Sequence, residues 1–98
     1  MATPKVTVLA ELTVQPQYLG EVKALVAATA RLNRTEPGCE AFFITTKHDD
    51  PNTLVLFEVF ASVAAHEAHL ATDYARHFFA TVPALLAKEA VLTTLDQF

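Results

Sequence analysis

The sequence predicts an α+β domain of ferredoxin-like type, with element order β-α-β-β-α-β and a four-stranded antiparallel sheet carrying its helices on one face. Three observations lead there. Four short segments rich in β-branched residues are bounded by turn chemistry. An apolar stripe at three-to-four spacing separates the first from the second, and a further helical region separates the third from the fourth. With 98 residues there is chain for one core and not two, so residues 1–98 form a single domain.

Lys5–Val14 (KVTVLAELTV) is β-branched and partly alternating, which predicts the first strand. Gln15-Pro16 ends it, with Pro16 placed to open a helix. From Gln17 to about Asn33, Leu19, Val22, Leu25, Val26, Thr29 and Leu32 recur on one helical face, with Glu21, Lys23 and Arg31 largely off it. Glu36-Pro37-Gly38 stops this helix, and Cys39–His48 (CEAFFITTKH) follows as strand two. Asp49-Asp50-Pro51-Asn52 reads as the turn into strand three, Thr53–Phe60. Ser62 is placed to cap a helix over Val63–Leu70. Thr72 or Asp73 caps a second piece running to about Ala87, with Pro83 as an internal break. VLTTL, within Lys88–Phe98, is strand four.

Two crossover helices on one sheet leave its other face open, and an open face that meets water should be polar. This one is not. In strand three Leu54, Leu56 and Phe60 point one way, while Val55, Phe57 and Val59 point the other. Strand one sets Val6, Val8 and Leu12 against Thr7, Leu9 and Glu11. An apolar face of that size is rare on a monomer, so the simplest cover is the same face of a second copy, giving a homodimer. A C-terminal tail folded over the face is the alternative.

Composition narrows the classes of function. A net charge of −4, a pI near 5.4 and basic residues scattered from Lys5 to Lys88 argue against nucleic acid. The longest apolar runs are under half the roughly 20 residues a bilayer span needs. Met1-Ala2-Thr3-Pro4-Lys5 lacks the charged stretch and apolar core of a signal peptide, so a cytoplasmic protein is expected. The single cysteine, Cys39, excludes an internal disulfide and reads as a small buried hydrophobe. Only 2 glycines are present, so a phosphate-cradling loop is not expected, and no nucleophile elbow or dinucleotide fingerprint occurs.

Polar residues that interrupt apolar surfaces are the candidates for chemistry. Glu58 shares a strand face with Leu56 and Phe60, where a carboxyl group must find a donor or gain a raised pKa. His66 and His69 lie three apart on one helix. His66-Glu67-Ala68-His69 is one residue short of the HExxH zinc spacing, so no metal is expected. Histidine is the side chain best suited to moving protons near neutral pH, and His66 and His77 read as surface residues. Tyr74, five residues on, can turn its hydroxyl toward the same cavity. Phe42, Phe43, Phe57, Phe60, Phe78 and Phe79 are core first, and some can line a flat pocket for an aromatic ligand.

An ordered set of short motifs runs through the chain: Glu36-Pro37-Gly38-Cys39, Phe43, Asp50-Pro51-Asn52, Glu58-Val59-Phe60, Ser62, Ala65, His69-Leu70-Ala71-Thr72 and Phe78. Together they resemble the antibiotic biosynthesis monooxygenase (ABM) family of the dimeric α+β barrel superfamily. The resemblance implies a dimer whose two sheets face each other in a barrel, and a pocket between sheet and helices in each subunit. Members include quinol and anthrone monooxygenases that work without metal or flavin, haem-degrading enzymes and an isomerase of a phosphorylated signal. Glu58 matches the family's strand glutamate and His69 its helix histidine, while Tyr74 stands where many members have a second histidine. Phe60 replaces a frequent Trp, and Lys5–Val14 has no counterpart of the first-strand Asn shared by the haem-degrading members.

The resemblance and the residues together lead to cofactor-independent oxygenation of a small, apolar, quinol- or anthrone-like aromatic. His69 is the expected base, with Glu58 orienting its imidazole and Tyr74 donating to the substrate oxygen. Phe60, Phe43 and Phe78 are the expected substrate-binding aromatics. An isomerase or tautomerase of a small carbonyl compound, and a non-catalytic ligand-binding dimer, are the alternatives.

Overall fold

A computed structural model describes residues 4–98; Met1–Thr3, which entered the leader-peptide reading, lie outside them. The alternation of the first segment is realised as β1, Val6–Thr13. Pro16 opens a single 3-10 turn, Pro16–Tyr18, because its fixed φ suits a first helical position. The chain continues into α1, Leu19–Asn33. β2 spans Cys39–Lys47 and β3 Asp50–Phe60. Two short helices follow, α2 at Val63–Leu70 and α3 at Asp73–Thr81, then a 3-10 turn at Val82–Leu85 and β4 at Val91–Leu95.

The sheet is four-stranded, in the order β2-β3-β1-β4, and every pairing is antiparallel. Both helical crossovers connect strands that are not neighbours, and both pack on one face. This is the ferredoxin-like fold expected from the sequence. Among the described residues no helix is long and apolar enough to cross a membrane.

Register decides which residues look toward the helices. Val8, Glu58 and Phe42 form one row across β1, β3 and β2, and Ala10, Leu56 and Ile44 form another. Ala10, Leu12, Val22, Val26, Leu54, Leu56 and Val82 make the buried core between that face and the helices. Side chains one residue out of step, including Leu9, Val55, Phe57 and Phe43, lie on the outer face, because strand side chains alternate.

Three local expectations change. The β2–β3 turn is His48-Asp49 alone, because Asp50 already pairs with Lys47. The pairing then slips between Thr46 and Lys47, a bulge that absorbs Pro51 and Asn52 within β3. Helix α3 ends at Thr81 instead of running on to Ala87, and Pro83 sits in the following 3-10 turn, where no α-helical amide bond is lost. On α1 the buried stripe is Val22, Val26, Thr29, Ala30 and Asn33, and Leu32 is 45% exposed. Three of these five are small or polar, and two of them, Thr29 and Asn33, line a cavity between α1 and the rest of the fold.

Gly38 shows how tight the closure is. The backbone N–H of Cys39 donates to the Glu36 carbonyl at 3.1 Å, making a turn with Pro37 at its second position. A Cβ on Gly38 would overlap the Cβ of Ala65 at the start of α2. Gly38 has no positive φ, so closeness and not conformation selects glycine here. Gly38→Ala is expected to destabilise the fold by about 1–3 kcal/mol through overpacking. Urea denaturation checks this, and an unchanged midpoint would show that α2 can give way.

Candidate active site

Two helix caps build the site. Ser62 Oγ accepts from Ala65 N at 3.0 Å and starts α2. Thr72 Oγ1 lies 3.3 Å from Ala75 N, which it caps, and donates to the His69 carbonyl at 2.7 Å. The α2–α3 break is therefore pinned to the backbone of His69 and brings Tyr74 round beside it.

His69 is 5% exposed. Its Nδ1 lies 3.0 Å from Glu36 Oε2, and the Tyr74 hydroxyl donates to the same carboxylate oxygen. A carboxylate accepts, so this partner favours a proton on Nδ1, and in the neutral ring the lone pair then lies on Nε2. Burial, reinforced by the bond to Glu36, pushes the Tyr74 phenol up to about 12, so it stays a donor at any ordinary pH. The Phe60 ring packs on the imidazole with centroids 4.8 Å apart. The carboxylate meeting His69 is thus Glu36 and not Glu58. In the sequence Glu36 figured in a helix-stopping turn and in the family motif, with no role in the site.

Beside His69 the helices and sheet enclose a cavity of about 280 Å³. Its walls are mainly hydrocarbon: Val8, Leu12, Leu56, Leu70, Phe78 and Val82 among others. Glu58, His66, His69, Asn33, Thr29 and Thr94 supply the polar groups. Glu58 is pushed up to about 7, first by burial and then by the nearby charge of Glu36. Near neutral pH it can hold a proton or release one. His66 is held below the usual imidazole range, mainly by burial and then by His69, whose ring centroid is 6.3 Å away. It lines the cavity instead of the surface expected for it, whereas His77 is exposed. The Cys39 thiol is pushed up by burial and by Glu36 and Glu58, which disfavours the thiolate.

The expected aromatics separate. Phe78 lines the cavity. Phe60 is fully buried beneath the rings of His66 and His69, so it supports them and offers no face to a ligand. Phe43 lies on the outer sheet face, 59% exposed and stacked on Phe57, because it is one residue out of step with Phe42. Tyr74 reaches the site only through Glu36. Among the described residues no three His, Cys, Asp or Glu side chains converge on a metal position.

Comparison with known proteins places the whole domain. Residues 5–81 match the family Antibiotic biosynthesis monooxygenase, and the chain belongs to that family. It is 32% identical over 89 residues to the uncharacterised protein sll1783 of Synechocystis, a match covering 91% of this chain and 60% of that one. Its fold is similar to that of Rv0793 from Mycobacterium tuberculosis, with a TM-score of 0.91 and 28% identity over 96% of this chain and 95% of that one. Protein SO0527 from Shewanella oneidensis shares the fold at a TM-score of 0.90 and 23% identity, covering 97% and 92% of the two chains.

Proposed function

We propose that the protein is a cofactor-independent monooxygenase acting on a small quinol- or anthrone-like aromatic. The observation that carries the reading is a buried imidazole at the wall of an apolar cavity, fixed through Nδ1 by Glu36. Nε2 takes a proton from the bound quinol, and the resulting electron-rich anion passes an electron to O₂. Recombination on the ring forms a hydroperoxide. Loss of water leaves one oxygen atom on the product, with the other departing as water. Glu36 accepts the charge of the imidazolium, as a carboxylate does for a catalytic histidine. Tyr74 holds Glu36 in place, and Glu58 is the proton donor for the departing oxygen. Oxygen consumption by metal-stripped, flavin-free protein with reduced naphthoquinols and anthrones tests the reading. Uptake above autoxidation supports it, and turnover that proceeds without oxygen would favour isomerisation instead.

The outer sheet face supports a homodimer as the working form. Phe43, Phe57, Leu9, Val55, Val91 and Leu95 share this face, with the Glu11–Lys47 pair at 3.5 Å among them. The C-terminal tail touches it where Gln97 donates to Thr7 Oγ1 at 3.0 Å, yet Phe43 stays open. Phe43→Glu is expected to give a monomer by light scattering. A variant that stays dimeric would place the interface elsewhere.

A further inference from the structure

At the last turn of α1 the cavity wall carries an amide that nothing in the fold uses. Asn33 lines the cavity and is 1% exposed, yet neither Nδ2 nor Oδ1 has a hydrogen-bond partner among the described residues. Folded proteins keep few such groups, because a buried donor or acceptor left unmade costs stability. Packing does not call for an amide here. A leucine would fill a similar volume with no orphaned atom, and Ala30 and Val26 on the same buried stripe are apolar.

The position of Asn33 ties it to the site. Its backbone carbonyl accepts from Glu36 N at 3.1 Å, so it sits at the base of the turn that delivers Glu36 to His69. Thr29, one turn earlier on α1, lines the same wall. Glu58, His66 and His69 supply the polar groups of the sheet and of α2. A carboxamide presents one donor and one acceptor in a single plane. Its complement is a ligand edge with an acceptor and a donor on neighbouring atoms.

We infer that Asn33 is a specificity-determining residue of this cavity, selecting a fused aromatic ligand whose ring edge carries a hydrogen-bond donor and acceptor on adjacent atoms. An ortho-quinol has such an edge, and so does a cyclic lactam. The inference rests on the reading of the cavity as an aromatic-quinol site and narrows that reading to the ortho arrangement. A cavity of about 280 Å³ is at the small end of ligand pockets, roughly 300–1,000 Å³, and suits two fused rings. An analogue methylated at the donor leaves Asn33 Oδ1 buried without a partner and adds a methyl group against it, and a buried polar group left unpaired is a strong ground for rejection.

The test is anaerobic binding calorimetry with two matched pairs of probes. One pair is 2,3-dihydroxynaphthalene against 2,3-dimethoxynaphthalene, and the other is 2-quinolone against 1-methyl-2-quinolone. The wild-type protein is expected to bind the unmethylated member of at least one pair about tenfold or more tightly, and the pair that shows this tells a quinol from a lactam. In Asn33→Leu that ratio is expected to fall to about twofold or less, with a higher Tm for the ligand-free protein because the orphaned amide is gone. Equal affinities within both wild-type pairs would overturn the inference whether or not the variant folds, and so would a preference that survives in Asn33→Leu. Binding is read without turnover. A preference without oxygen consumption would therefore defeat the oxygenase reading alone, and oxygen consumption without a preference would defeat this inference alone.

Discussion

His69→Ala is expected to lower the rate of oxygen consumption by roughly 10²–10⁴-fold, the usual contribution of a positioned general base. The orientation of the imidazole is set at two sides. Glu36 holds Nδ1 at 3.0 Å, and the Phe60 ring packs on its face with centroids 4.8 Å apart. Alanine removes the proposed base, while the caps at Ser62 and Thr72 that build the surrounding helices remain. The oligomeric state should therefore be unchanged. Glu36→Gln tests the same arrangement from the other side. An amide can present either a donor or an acceptor to Nδ1, so the Nδ1–H form is no longer selected. This variant should lose less activity than His69→Ala and should not add to it in the double variant, since both act on one proton transfer. Additive losses would mean that Glu36 works independently of His69.

Glu58→Gln is expected to stabilise the protein at pH 8 by up to about 3 kcal/mol while leaving it unchanged near pH 4. In the folded protein Glu58 keeps its proton up to about pH 7, whereas the unfolded chain releases it near 4.5. The folded state binds more protons across that interval, so stability falls as pH rises through it. Burial is the larger cause and the charge of Glu36 the smaller. Glutamine has the shape of the protonated acid and never ionises, so the loss disappears. For a domain of this length, 3 kcal/mol is worth roughly 10 °C or more in Tm. His66 acts in the opposite sense, because its lowered pKa makes acid destabilising below the ordinary imidazole range. It is present in both proteins and drops out of the difference. Melting curves at pH 4, 6 and 8 for the two proteins give the comparison, and parallel curves would show that Glu58 is ionised without penalty. If Glu58 also donates the proton that leaves with water, the more stable variant is the slower one, a common trade at active sites.

Most of the fold could be read from local chemistry. Alternation in Val6–Thr13 and Thr53–Phe60, the apolar period of α1 and the caps at Ser62 and Thr72 are short-range signals, and each acts where it stands. The misplaced boundaries have equally local causes. Asp50-Pro51-Asn52 carries turn residues, yet pairing with β2 and β1 takes two of them into the ladder: Asp50 against Lys47, and the Asn52 carbonyl accepting from Val14 N at 2.9 Å. Only the bulge accommodates the proline between them.

The site was legible in part. His69 and Glu58 stand out because a polar side chain interrupts an apolar face, a property visible along one element. Their surroundings are not visible in that way. Glu36 lies 33 residues from His69 in sequence and meets it only when the turn after α1 packs on α2, so its role is written in tertiary contact. Phe43 and Phe42 are neighbours on opposite faces, and which face meets the helices follows from register, which the residue types alone leave open. The same holds for His66, drawn inward by the packing of α2 over Phe60. Asn33 carried no signal, since an amide at a helix end ordinarily faces water.

These pieces meet in a single chemical claim, that the cavity beside His69 inserts one atom of O₂ into an aromatic without help from a bound redox group. The most direct measurement is mass spectrometry of the product made by metal-stripped, flavin-free protein from a reduced naphthoquinol under ¹⁸O₂. One ¹⁸O atom per product molecule is expected, formed at a rate above the protein-free background and lost with His69→Ala. Product free of label, or labelled no faster than in the absence of protein, would contradict the claim.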